Sequence, residues 1–158
     1  MPVLQWTGAV DGDWSDSGNW TIISGGGSGV PVDGDDIYIT SGSVNINENL
    51  PLKAADLDLD SLTIGSKYTG TIGTSALPLE LGTVGVINYG QKVGQTFLYG
   101  AALTLVVIES TSTESPALSI TADSAGSIDS VLTTMRILGG SGTILLDAVT
   151  VHPADATI

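Results

Sequence analysis

Short stretches of alternating apolar and polar residues run along most of this chain. From Ile37 onwards they are about three to six residues long, and each is bounded by Gly, Ser, Asn or Asp. Such alternation is typical of half-buried strands. No segment keeps a helical period over about ten residues; Ser130–Arg136 comes closest, and Thr133 and Thr134 weaken it. The pattern therefore predicts an all-β protein.

The predicted strands are short, and a unit of strand, Gly-containing turn and strand recurs at intervals of 15 to 24 residues. The units begin near Leu62, Leu79, Leu103, Leu118 and Ile137. We predict strands at Val3–Thr7, Thr21–Ile23, Ile37–Thr40, Ser43–Asn47, Leu57–Leu59, Ser61–Ile64, Gly70–Gly73, Leu77–Leu81, Val84–Asn88, Thr96–Tyr99, Leu103–Glu109, Ala117–Thr121, Ser127–Ser130, Thr134–Leu138, Thr143–Leu146 and Ala148–Val151.

This recurrence favours a right-handed parallel β-solenoid, in which each coil stacks on the one before and buries a column of aliphatic side chains. The alternative is a β-sandwich or jelly roll, which would need regular hairpins. The two-residue hairpin signals Asn-Gly and Asp-Gly are missing after residue 36, which favours the solenoid.

All three tryptophans lie within Trp6–Trp20, among Gly, Asp, Ser and Asn. The polar residues favour turns, whereas the rings favour burial. Because the end of a solenoid exposes apolar coil and unpaired backbone, we predict that this segment is an N-terminal cap. We expect the rings to be buried and to contact the first coils at Ile37, Ile39, Val44 and Ile46.

The chain divides into three predicted regions. Residues 1–36 form an N-terminal arm and Trp-rich capping segment, residues 37–151 form the solenoid body, and residues 152–158 form a C-terminal tail. A chain of 158 residues is long enough to bury a core without disulfides, and it has no cysteine.

The charge of the chain is strongly negative, with 17 acidic and four basic residues and a formal net charge of -13. Nucleic acid and anionic membranes are therefore not expected partners, because phosphate binding needs clusters of Lys and Arg. The N-terminus shows no signal peptide and no stretch reaches the length of a membrane span, so synthesis in a cytoplasm without a secretion signal is expected.

Two acidic turns are possible calcium sites, because calcium binds carboxylate and carbonyl oxygens in loops. They contain Asp11, Asp13 and Asp16, and Asp33, Asp35 and Asp36. The EF-hand pattern fails at both its glycine and its glutamate positions, and Asp and Gly build turns without any metal. No cofactor is expected.

The run Asp56-Leu57-Asp58-Leu59-Asp60 alternates strictly, which puts three carboxylates on one face of a strand. Like charges side by side repel, so this face must be solvated or meet a basic partner. A solvated face is the default interpretation of Asp56, Asp58 and Asp60, and a face that meets a basic partner is the alternative. No catalytic set is predicted, and the single histidine, His152, lies in the tail before Pro153.

The opening segment fits the pattern Trp-x-Gly-x5-Trp-x4-Asn-Trp, which is met by Trp6, Gly8, Trp14, Asn19 and Trp20. With Pro31, Asp33, Asp35 and the run from Ile37, it resembles the start of β-helix regions in autotransporter-like surface proteins and in phage structural proteins. The resemblance implies a β-helical fold, a structural cap and a location outside the cell, and it brings no catalytic residues.

The function favoured by these observations is that of a non-enzymatic virion structural protein, a phage capsid decoration or cement protein. It would form a homotrimer, bind the major capsid protein or another virion protein, and be made in the host cytoplasm. One alternative is a glycan-binding module of a cell-surface adhesin or tail fibre, located outside the cell, that uses Trp and Tyr. A solenoid enzyme that degrades polysaccharides is a third hypothesis, and it predicts two carboxylates about 5 to 10 Å apart in a groove.

Overall fold

A computed structural model describes residues 1–50, 57–108, 110, 112, 114, 116–122, 134–137 and 144–147. The predicted strands Ser127–Ser130 and Ala148–Val151 and the tail 152–158 lie outside these residues. The described residues form nine strands: β1 (Val3–Trp6), β2 (Trp20–Ser24), β3 (Asp35–Gly42), β4 (Leu59–Tyr68), β5 (Leu79–Tyr89), β6 (Thr96–Ile108), β7 (Leu118–Ala122), β8 (Thr134–Ile137) and β9 (Ile144–Asp147).

The all-β prediction is confirmed. The helical content of the described residues is a single 3-10 turn at Ser17–Asn19, whose first turn is capped by the Asp16 side chain. Several short predicted strands are parts of longer ones: Val84–Asn88 lies in β5, Leu77–Leu81 overlaps β5 from Leu79 onwards, and Thr96–Tyr99 lies in β6. Small and polar residues inside these strands are accommodated by pairing on both sides, which local alternation does not reveal.

Two predicted strands are wrong. Ser43–Asn47 and Gly70–Gly73 are not strands, and they touch through one isolated parallel bridge between Ile46 and Ile72. The Asn45 side chain accepts a hydrogen bond from Thr71 N at 2.8 Å, where a strand would use a backbone carbonyl. Backbone bonds from Ile46 N to Thr71 O and from Gly73 N to Ile46 O make the bridge, and the side-chain bond of Asn45 lies beside them.

All nine strands belong to one mixed sheet. Its order is β2-β1-β3-β4-β5-β6-β7-β9, and β8 pairs with another part of β6. β1 and β2 are antiparallel, and every other pair among the described strands is parallel. The regular antiparallel hairpins of a sandwich are therefore not the pattern of the described strands.

The parallel pairs bring chemically equivalent residues into register. Leu4 pairs with Ile37, Ile37 with Leu62, Leu62 with Ile87, and Ile87 with Val106. All five side chains are fully buried, so the register builds one continuous apolar column. A second column contains Ile39, Ile64, Tyr89 and Ile108.

A different set of residues aligns along another part of the chain. Ile46 pairs with Ile72, which pairs with Thr96, while Leu79 pairs with Leu98 and Leu98 with Ile120. Leu62 and Leu79 therefore belong to different columns, although the sequence placed them in one recurring series. The recurrence seen in the sequence is thus a mixture of two alignments.

Residues 1–36 are continuous with this sheet through β1, which lies between β2 and β3. β2 lies at the edge of the sheet, and its residues after Trp20 are exposed. The N-terminal segment is therefore placed beside β3, with Trp6 at the end of β1, Trp14 in the loop that follows and Trp20 at the start of β2.

Candidate functional site

Three tryptophans pack together where β1, the loop of residues 7–19 (the tryptophan loop) and β2 meet. Trp6, Trp14 and Trp20 are at most 6% exposed. Trp20 meets Trp6 and Trp14 edge to face, with ring centroids 5.1 Å and 4.7 Å apart. The Trp20 indole also donates a hydrogen bond to Trp14 O at 2.8 Å. The predicted burial is confirmed.

The tryptophans lie in the same hydrophobic cluster as the first parallel strands. That cluster contains Ile37, Ile39 and Ile46, and Val44 packs against it. The predicted neighbours of the rings therefore belong to the core that the rings complete. Edge-to-face aromatic packing of this kind adds about 0.5–1.5 kcal/mol per pair to the gain from burial.

Asn19 organises the tryptophan loop from a fully buried position. Its side-chain oxygen accepts hydrogen bonds from Val10 N at 2.9 Å and Asp11 N at 3.1 Å. Its amide nitrogen donates to the Asp11 carboxylate at 2.7 Å and to Asp13 O at 3.0 Å. The four bonds use the full capacity of the amide, and they fix the path of residues 10–13.

Two glycines allow this loop to approach residues 44–49. Gly12 O accepts hydrogen bonds from Asn47 N and Glu48 N, both at 3.2 Å. A Cβ at Gly12 would lie 2.4 Å from Asn45 O, and one at Gly8 would lie 2.9 Å from Val44 Cβ. Gly8 also has a positive φ of 57°. Both positions require glycine for the loop to dock.

The acidic residues of the tryptophan loop serve as turn acceptors. The Asp11 carboxylate accepts from Asp13 N at 3.0 Å, and the Asp16 carboxylate accepts from Gly18 N at 2.7 Å. Asp13 accepts from the Ser15 hydroxyl at 2.7 Å, and this bond lowers the pKa of Asp13. Among the described residues, no three His, Cys, Asp or Glu side chains are grouped as metal ligands.

The second acidic turn places one carboxylate in the core. Asp35 is 1% exposed, and its Oδ2 accepts from Val32 N at 2.9 Å. Its Oδ1 has no hydrogen-bond partner. Asp36 is half-buried and accepts a hydrogen bond from the Ser61 hydroxyl of the neighbouring strand.

The predicted acidic face is part of a backbone-capping ladder. Asp33 Oδ1 accepts from Asp58 N at 3.1 Å, and Asp58 Oδ1 accepts from Thr83 N at 2.6 Å, each across 25 residues of sequence. Asp60 is exposed beside this ladder, and Asp56 lies outside the described residues. We call Asp33, Asp58 and Asp60, at the beginnings of β3 and β4, the strand-start corner.

The opposite ends of the same strands carry lysines. Lys67 is near the end of β4 and Lys92 follows the end of β5, and both are exposed. We call Lys67 and Lys92 the strand-end corner. A groove of about 560 Å³ lies beside it and is lined by residues 63–66, 88–90, Lys92 and Val107. We call it the strand-end groove.

Two glycines, Gly65 and Gly90, line this groove. A Cβ at Gly65 would lie 2.9 Å from Thr40 Cα, so that position cannot carry a side chain without a backbone shift. A Cβ at Gly90 would make only ordinary contacts, the nearest of them with Ile64 O at 3.5 Å. Thr63 and Asn88 form one wall and are joined by a hydrogen bond of 3.4 Å.

A buried polar network lies beneath the strand ends. Gln91 is fully buried, donates to Gly70 O, and accepts from the Thr96 hydroxyl at 2.9 Å. The Tyr89 hydroxyl donates to Ala117 O at 2.7 Å, and the Tyr68 hydroxyl donates to Val44 O at 2.8 Å. Burial raises the pKa of both tyrosines well above the ordinary value of 10.0.

Comparison of the chain with protein-family models, curated proteins and solved structures found no match. In the described part of the chain, no helix is both long and apolar enough to cross a bilayer. The site is therefore interpreted from its own residues.

The sequence analysis did not identify the strand-end corner or Gln91. The four basic residues are far apart in the sequence, yet Lys67 and Lys92 occupy related places at the ends of adjacent strands. Comparing the chain with itself at an offset of 25 residues would have related Lys67 to Lys92, Gly65 to Gly90 and Asp33 to Asp58. The 25-residue offset is not apparent in the recurring aliphatic units, because those units belong to two different alignments. His152, the only histidine, lies outside the described residues.

Proposed function

We propose that this chain is a non-enzymatic virion structural protein, a decoration or cement subunit that stabilises a phage capsid by subunit–subunit and subunit–shell contacts. The observation that carries the proposal is the parallel register across β1, β3, β4, β5 and β6. It produces a long ladder with a continuous buried column.

The register also supports a right-handed parallel β-solenoid as the fold, with the tryptophan loop as its N-terminal cap. Aligned partners 25 residues apart are expected when each coil repeats the path of the one before. Three buried rings beside β1 and β3 would exclude water from the first coil. A stiff solenoid of this kind suits a subunit that must hold its shape on a particle surface.

The mechanism is adhesive. A subunit that binds only the assembled shell stabilises that shell by mass action, because disassembly must also release the subunit. Contacts of about 1,200–2,000 Å² per interface are needed for stable association. The expected partners are copies of this chain in a homotrimer and the major capsid protein or another virion protein.

The burial of the tryptophans weighs against the alternative of a glycan-binding module. Stacking on a sugar requires an exposed ring face, and Trp6, Trp14 and Trp20 offer almost none. Tyr38 is the most exposed of the described tyrosines, and one exposed ring is a weak basis for glycan recognition. The structural role therefore remains the better proposal.

The test is whether the chain belongs to a particle. Density-purified particles from cells that produce the chain should contain it in a fixed ratio to the major shell protein, measured by quantitative mass spectrometry. Stripping it with mild chaotrope should lower the temperature at which the particle releases its contents, and adding it back should restore that temperature. A chain that stays soluble and is missing from every purified particle would contradict the proposal.

A further inference from the structure

We propose that the strand-end groove receives the strand-start corner of a second copy of this chain, so that copies join head to tail. The inference rests on the proposed function, because it names the surface through which the subunits would form their homotrimer. Its basis is charge complementarity between two surfaces at opposite ends of the same strands.

The charges of the chain are segregated along the sequence. Residues 61–108 contain one acidic residue, Glu80, and the two lysines Lys67 and Lys92. Residues 1–60 contain ten acidic residues and one lysine, Lys53. Because β3, β4 and β5 are parallel, Asp33, Asp58 and Asp60 lie where β3 and β4 begin, and Lys67 and Lys92 lie where β4 and β5 end.

The groove has the properties of an acceptor for carboxylates. Among the described residues none of the acidic ones lines it, and Lys92 supplies a positive charge. Thr63, Ser66 and Asn88 supply hydroxyl and amide donors. Gly90 has no side chain, so none of its own side-chain atoms obstruct a group that inserts there.

The strand-start corner has the properties of the ligand. Asp33, Asp58 and Asp60 are exposed, and the Asp33–Asp58–Thr83 ladder fixes the backbone that carries two of them. Asp60 and Lys67 lie seven residues apart on β4, which corresponds to roughly 23 Å of extended strand. Within one copy the two corners therefore cannot meet.

A second copy solves this separation. Two chains of net charge -13 repel each other, and most contacts would place carboxylates against carboxylates. Contact between a strand-start corner and a strand-end groove is the orientation that pairs opposite charges. Such a contact joins two different surfaces, so its repetition can close into a ring, and a ring of three matches the proposed homotrimer.

The experiment measures the mass of the purified full-length chain by light scattering over a range of protein concentrations. We expect a closed oligomer at low salt and dissociation at about 1 M salt, where the Debye length is roughly 3 Å. Lys92→Glu should raise the dissociation constant at least about tenfold, because it places like charges together. The matched variant Lys92→Arg should leave it unchanged within about a factor of two.

Two further variants separate the contact from a general charge effect. The double variant Lys92→Glu/Asp60→Lys exchanges the two charges and should restore association. Gly90→Val should weaken association by filling the groove without changing any charge, and circular dichroism should show that both variants fold.

The inference is overturned if the wild-type chain is monomeric at low salt, or if Lys92→Glu associates as well as the wild type. Failure of the double variant to recover association would also overturn it. A monomeric chain that still binds to particles would refute this contact while leaving the proposed function intact. An oligomer that follows these predictions but never joins a particle would support this contact and contradict the proposed function.

Discussion

The carboxylate of Asp58 accepts a hydrogen bond from Thr83 N at 2.6 Å, and the same residue's N–H donates to Asp33 at 3.1 Å. An exposed acidic side chain thereby ties three successive segments of the chain together at the strand-start corner. The finding changes the meaning of the alternating Asp-Leu run, because part of its acidic face is engaged within the protein.

Replacing Asp58 with Ala should lower the free energy of unfolding by about 1 kcal/mol, since Thr83 N loses its acceptor. Asp58→Asn keeps an acceptor oxygen and should cost less. Asp60→Ala, on the same strand, is the control, and it should leave stability within about 0.5 kcal/mol of the wild type. Urea unfolding followed by circular dichroism measures all three, and equal losses for Asp58→Ala and Asp60→Ala would contradict the ladder.

Replacing Asn19 tests whether its four hydrogen bonds hold the tryptophan loop. Asn19→Ala should cost about 3 kcal/mol or more, because it leaves Val10 N and Asp11 N buried without an acceptor. Asn19→Asp keeps both acceptor bonds, but it turns the donor toward Asp11 and Asp13 into an oxygen. It should therefore destabilise the protein as well, through repulsion with the Asp11 carboxylate.

Tryptophan fluorescence reports on the same loop. The wild-type emission should be blue-shifted and protected from acrylamide, because all three rings are buried. The Asn19 variants should lose part of that protection before global unfolding. Unchanged stability and unchanged quenching in Asn19→Ala would mean that the amide does not organise the loop.

The two buried tyrosines predict a loss of stability at high pH. Each has a pKa raised by burial in the folded chain, whereas the unfolded chain titrates near 10.0. Above that pH the unfolded state releases protons that the folded state keeps, so unfolding becomes easier. The contribution is constant below about pH 9 and falls above pH 10 by roughly 1.4 kcal/mol per pH unit for each tyrosine.

Urea unfolding at several pH values between about 8 and 11 measures this slope. Tyr89→Phe should reduce the slope by about half, since one of the two titrating groups is gone. At neutral pH the same variant should lose about 1 kcal/mol, because Ala117 O loses its donor. A slope that does not differ between Tyr89→Phe and the wild type would contradict the burial of this hydroxyl.

Gly85 lies within β5 and Gly90 directly follows it, and replacing each with alanine should affect stability differently. A Cβ at Gly85 would lie 2.6 Å from Asp60 O, so Gly85→Ala requires a backbone shift and should cost about 2 kcal/mol or more. Gly90→Ala meets only an ordinary contact at 3.5 Å and should be neutral within about 0.5 kcal/mol. Thermal melts of the two variants give the comparison, and similar melting temperatures would show that the close approach at Gly85 does not restrict the strand.

Much of the secondary structure was predictable, because alternation is a local property of the sequence. β1 and β3 were predicted within a few residues, and the composition of Trp6–Trp20 indicated a looped segment with buried rings. The merging of short predictions into β5 and β6 was not predictable. Gly82 and Gly85 look like ends of strands, yet β5 continues through both, and at Gly85 the backbone of Asp60 lies too close to admit a side chain.

What the sequence determined by itself is the all-β class, the burial of Trp6, Trp14 and Trp20, and the strong negative charge, since each follows from residue type and local spacing. The tertiary structure alone decided which residues are partners. Leu62 aligns with Ile87 and Leu79 with Leu98 because backbone pairing between parallel strands selects one register from several similar apolar runs. The same register put Lys92 where the parallel strands end and Asp58 where they begin, so charges of opposite sign are separated in space.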